Sequence, residues 1–168
     1  MRHKISRNQG TTLIELMIVT VIIGLVAGMA VPRFHLAYER MRIRTGDRAL
    51  TSAIRLARSS AISEKQQYGL YFDECETVAT FFVDNVNQGT PALDGGDSIV
   101  TVIELPPEFD YLATDCTNDV IAFRPNGSAN FTGGGNIYSM AFTDHIVSLT
   151  SHNILASTGR ISTETHTY

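Results

Sequence analysis

The sequence predicts an α+β protein: one long N-terminal α-helix, half transmembrane and half amphipathic, packed on a C-terminal antiparallel β-domain. Three observations lead there. The stretch Leu16 to Val31 carries no charge and belongs to an apolar run long enough for a membrane helix. Residues 33–63 then continue at helical period, with Leu36, Ile43, Leu50 and Ala57 recurring every seven positions and Ala53, Ile54 and Ala61 filling the same stripe. After Gln67 the period shortens to alternating runs divided by turn residues, which is the mark of strands.

Charge divides the chain in the same places. The net charge of −4 is a sum of unlike parts: +3 over residues 1–10, −1 over 11–32, +5 over 33–65 and −11 over 66–168. We read these as a short basic leader, a membrane-length helix, an amphipathic stem and a β-rich head. With 43% apolar and 18% charged residues the chain is not intrinsically disordered. The acidic balance disfavours nucleic acid as a partner, because phosphate binding needs clustered Lys and Arg.

From Thr11 to Val31 a helix would extend ~32 Å, close to the thickness of a bilayer's hydrocarbon core. Three readings compete: a secretory signal cut after Ala30, an ordinary anchor, or a membrane helix with a processing site ahead of it. Glu15 separates them. A carboxylate inside an apolar span costs about 2.5–3.5 kcal/mol by insertion scales, and neither a plain signal nor a plain anchor gains from it. A cut after Gly10 would free an amine at Thr11, roughly one helical turn from Glu15, and give the charge a partner.

Gly10-Thr11-Thr12-Leu13-Ile14-Glu15, behind a basic leader and ahead of a long apolar run, resembles the prepilin signature of type IV pilins and type II secretion pseudopilins. The resemblance implies cleavage between Gly10 and Thr11 by a prepilin peptidase and N-methylation of Thr11. It implies pairing of Glu15 with the amine of a neighbouring subunit in a filament. It also implies a single-pass protein of the bacterial inner membrane with a periplasmic head, partnered by other pilins or pseudopilins, the inner-membrane assembly platform and the lipid bilayer. Thr11 departs from the phenylalanine usual at that position. Gly24 and Pro32 match positions where pilin helices bend, and Gly24-x-x-x-Gly28 presents small residues for close helix approach. Arginines after the span oppose the periplasmic placement by the positive-inside rule, so that placement comes from the resemblance alone.

In the stem, Arg40, Arg44, Arg48, Arg55 and Arg58 share a face that is either solvated or meets anionic headgroups or an adjacent acidic head. Gly46 reads as a weak point, costing ~1 kcal/mol against alanine. Residues 49–63 resemble the stem of the GspH/FimT group, including its Ala57-Arg58-Ser59-Ser60-Ala61 element. Val120 to Gly127 and Ser157 to Ile161 resemble that group's strand-turn element and last strand.

Strand-like runs in the head are Tyr68–Phe72, Val78–Val83, Ile99–Glu104, Phe109–Ala113, Val120–Arg124, Ile137–Phe142, His145–Thr150 and Ile154–Ala156. Given the periplasmic placement that the resemblance implies, Cys75 and Cys116 are expected to form a disulfide between two turns, with two free thiols as the alternative. The acidic loop 84–97 lacks the spacing of an EF-hand and reads as solvated rather than calcium-binding. His145, His152 and His166 form no metal constellation, and no catalytic or cofactor motif occurs. The expectation is a structural filament subunit, without cofactor, metal or enzymatic activity. The alternatives are a DNA-binding minor pilin for DNA uptake, opposed by the −11 head, and a secreted domain with an ordinary signal peptide.

Overall fold

The computed structural model describes residues 11–86, 89–144 and 146–168. The leader 1–10, with Gly10, lies outside the described residues, as does His145. The chain divides into two compact units, Met1–Tyr38 and Glu39–Tyr168. Helix α1, Leu13–Glu64, supplies the described part of the first unit and the opening of the second. It is helical through Gly24, Pro32 and Gly46, so none of the three ends it.

In the second unit, which we call the head, the strands are β1 (Tyr68–Asp73), β2 (Val78–Val83), β3 (Ser98–Glu104), β4 (Phe109–Cys116), β5 (Val120–Phe123), β6 (Ala129–Asn130), β7 (Gly133–Phe142), β8 (Val147–Leu155) and β9 (Arg160–Thr167). They form two antiparallel sheets, ordered β3-β2-β1-β5-β6 and β4-β7-β8-β9. The stem's apolar stripe joins both in one core. Ile43, Leu50, Ala53, Ile54, Ala57 and Ala61 are all buried there, with Leu70, Phe72, Phe123, Leu112 and Ile137. The small side chains at 53, 57 and 61, one helical turn apart, let the backbone of α1 lie close to the sheets.

Several strand boundaries differ from the sequence reading: β4 runs on to Cys116, β7 begins at Gly133, and the short β6 has no counterpart in it. The runs His145–Thr150 and Ile154–Ala156 belong to one strand, β8, which continues through Ser151-His152-Asn153. Those polar residues read as a break, yet alternation holds across them: Ser148, Thr150, His152 and Ile154 all point inward and are buried. The final strand also runs on to Thr167, well past Ile161.

Polar side chains knit these layers. Arg58 donates from Nε to the Gly127 carbonyl at 3.0 Å and from Nη2 to the Thr158 carbonyl at 2.9 Å. Those carbonyls belong to the β5–β6 and β8–β9 turns, one from each sheet, so one guanidinium holds both against the stem. Gln67 donates to Asp84 at 2.7 Å and accepts from Asn130, which in turn accepts from Arg124 at 2.7 Å. Arg58→Ala is expected to lower head stability by about 2 kcal/mol, since hydrogen bonds to a charged donor contribute about 1.5–3 kcal/mol and Gly127 is buried. Urea denaturation of the full chain in detergent checks this, and a midpoint equal to that of the parent would refute it.

Candidate functional site

The first turn of α1 is organised by Thr12. Its hydroxyl accepts from the Glu15 amide at 3.3 Å and its carbonyl from the Leu16 amide at 3.2 Å. Thr12-x-x-Glu15 is thus a helix N-cap followed three residues on by a carboxylate. The Glu15 side chain is exposed, and among the described residues its carboxylate accepts no hydrogen bond. It lies where the helix dipole favours negative charge. Thr11 precedes the helix and is exposed.

On both sides of Glu15 the surface of this segment is apolar and bare. Leu13, Ile14, Leu16, Met17, Ile18, Val21, Ile22, Ile23, Leu25 and Val26 are each more than half exposed. The segment's mean hydropathy reaches 2.5 over eighteen residues, and among the described residues this is the one helix long and apolar enough to cross a membrane. Among the described residues, apart from the chain neighbours and the helix's own backbone, nothing stands within 4 Å of where a Cβ would sit at Gly24 or Gly28. A surface of this kind is stable only against lipid or other helices. Chemically the arrangement offers a helix-length apolar face, a notch of small residues and one carboxylate at its start.

Two family descriptions fit the chain. Residues 5–31 match the prokaryotic N-terminal methylation motif, and residues 48–153 match the type II transport protein GspH. The second covers well over half of the sequence. The chain belongs to the GspH family. A curated relative is the type IV major pilin protein PilA of Myxococcus xanthus (strain DK1622), 38% identical over 68 residues. That match takes in 40% of this chain and 30% of the relative, so it spans under a third of the relative's length. No solved structure is a significant match.

As a GspH-family, pilin-like protein the chain has its matched features in two places. The methylation motif covers the start of α1 with Thr11, Glu15 and Gly24, and ends at Val31 just before Pro32. The GspH match opens in the stem at Arg48 and closes at Asn153 in β8. The remaining sequence-predicted residues lie elsewhere. Cys75 and Cys116 do not form the expected disulfide: both are free thiols, Cys75 exposed and Cys116 buried. The Asp73 carboxylate fixes the turn by accepting from the Cys75 and Glu76 amides, leaving the Cys75 side chain outside. The Cys116 thiol faces the core, where burial pushes its pKa up and keeps it a thiol.

In the acidic loop, Asp97 accepts from the amides of Asn85 and Asp94, each at 2.8 Å, so its carboxylate serves the loop's own backbone. Among the described residues no three His, Cys, Asp or Glu side chains converge as a metal site. His152 lies in the core and His166 on the exposed last strand.

Sequence reasoning missed Asp47. It is half-buried in the stem, and its oxygens accept from Ser139 at 3.3 Å and Thr150 at 3.0 Å, joining the stem to β7 and β8. Burial raises its pKa, and the two hydroxyl donors oppose that rise. Its place on the buried side of the stem, three residues before Leu50, was a readable signal.

Proposed function

We propose that this pilin-like chain is a minor subunit of a type II secretion pseudopilus or type IV pilus, cut by a prepilin peptidase between Gly10 and Thr11. The observation that carries the reading is the exposed apolar segment of α1, residues 13–29, whose one carboxylate, Glu15, stands near its start, four residues after Thr11. Cleavage would place a new amine next to that helix, where the Glu15 carboxylate of an adjacent subunit could neutralise it. In the bilayer the segment satisfies its backbone internally. Leaving for a filament exchanges lipid contacts for helix contacts, so the gain comes from packing at small residues and from the amine–carboxylate pair. The assembly platform would drive that transfer, and the head would stand in the periplasm. Pilin families supply structural subunits, which supports a non-enzymatic role.

The mass of the mature N-terminus tests this. A chain beginning at Thr11, with or without one added methyl group, is expected, and a start at Val31 would refute the reading. Gly10→Trp should remain uncut at full precursor mass. Glu15→Leu should be cut normally yet be lost from sheared filaments, and its normal incorporation would remove Glu15 from assembly.

A further inference from the structure

A groove of about 660 Å³ runs along the head between the stem and the last strand. Arg40, Arg44, Arg48 and Arg55 line one wall, and Thr163, Thr165 and Thr167 of β9 line the other. One carboxylate enters it, that of Asp47, which is already engaged by Thr150 and Ser139. Among the described residues none of the four arginines has an ion-pair partner, whereas Arg42, outside the groove, reaches Glu108 at 2.9 Å. Uncompensated positive charge is thus concentrated in one cleft of a head whose strand region carries −11.

The far wall is an open sheet edge. β9 pairs only with β8, and among the described residues its other side bonds to no strand. Every residue of β9 except Ile161 is exposed. Such an edge presents a row of backbone donors and acceptors that a further extended chain can complete. Spacing on the two walls is compatible. Arg40, Arg44 and Arg48 rise ~6 Å apart along the helix, while alternate residues of a strand rise ~6.7 Å apart. A strand laid beside β9 would therefore send every second side chain into the groove at nearly the interval of the guanidinium groups.

We propose that this groove docks an acidic extended segment of a different subunit of the same filament, which adds to β9 as a strand and pairs alternate carboxylates with Arg44, Arg48 and their neighbours. The inference rests on the chain being a filament subunit. A second copy is the poorer occupant, because this sequence nowhere places three acids at alternate positions. Carboxylate and guanidinium form directional, charge-assisted pairs, and that directionality separates a strand from a diffuse polyanion.

The test uses the full chain in zwitterionic detergent, titrated with an alternating Glu-Thr nonapeptide and with an isomer whose glutamates are contiguous. The alternating peptide is expected to bind about tenfold more tightly, to slow amide exchange across Arg160–Thr167, and to lose about tenfold in affinity to Arg44→Glu/Arg48→Glu. Equal binding of the two peptides, no binding, or a preference for duplex DNA or anionic vesicles would overturn the proposal. In assembled filaments, a photo-crosslinker at Thr165 should capture an acidic segment of another subunit; capture of a second copy would overturn it. Absence of the chain from filaments would refute the assembly reading, while the titration would still report on the groove.

Discussion

Gly46→Ala is expected to destabilise the head by about 1 kcal/mol, although alanine is the better helix former. Two effects oppose each other. Replacing glycine in a helix interior gains about 1 kcal/mol from propensity. A Cβ at Gly46, however, would fall 2.3 Å from the Phe109 ring and 2.9 Å from Pro106 Cδ. Phe109 is buried and Pro106 is rigid, so neither can retreat without opening the start of β4. Overpacking of that kind costs about 1–3 kcal/mol or more, and it outweighs propensity. A higher urea midpoint for Gly46→Ala would show that the stem tolerates the methyl group. Gly46→Ala with Phe109→Leu should cost less than the two single changes added together, because the smaller side chain vacates the clash.

The head is also expected to lose about 3 kcal/mol of stability as pH falls from 7 to 4, through His152. This side chain is fully buried in β8, with Nδ1 3.0 Å from the Thr163 hydroxyl and Nε2 without a partner among the described residues. Desolvation lowers its pKa from 6.5 to about 4. The folded state therefore holds the neutral ring while the unfolded chain takes up a proton. The contribution is fully present above pH 6.5 and is lost progressively down to about 4, at 1.36 kcal/mol per unit of difference. Asp47 acts in the opposite sense, since its raised pKa makes folding take up a proton at the acid end of this window. The slope should accordingly flatten near pH 4. His152→Leu removes the titration, and its stability should vary much less between pH 6.5 and 4. Parallel curves for parent and variant would exclude His152 as the cause.

The stem stripe was legible because a periodic pattern needs only its own residues. Ile43, Leu50, Ala53, Ile54, Ala57 and Ala61 occupy the core as their spacing predicts. Alternation likewise marked β1 and β2 to within a residue. Residues whose role depends on a distant partner were misread or missed. Gly46 read as a weak point in a helix and is instead the place where Phe109 fits. Asp47 and Arg58 find their partners 69 to 103 residues further along, at distances no local pattern encodes. The disulfide expectation came from the implied compartment, which says nothing of which thiol faces the core: Cys75 is exposed and Cys116 buried. The N-terminal segment was readable from composition, because apolar length and a lone acid are properties of sequence.

Arg58 also bears on the order in which the head folds. Its two carbonyl partners lie 69 and 100 residues away and are brought together only once both sheets stand against the stem. Contacts that close such long loops come late, after local helix and hairpin structure has formed. The guanidinium therefore acts as a latch on the finished head rather than as part of its nucleus. Removing it should leave the refolding rate nearly unchanged and place almost the whole loss in faster unfolding. The lifetime of the folded head therefore depends on that latch.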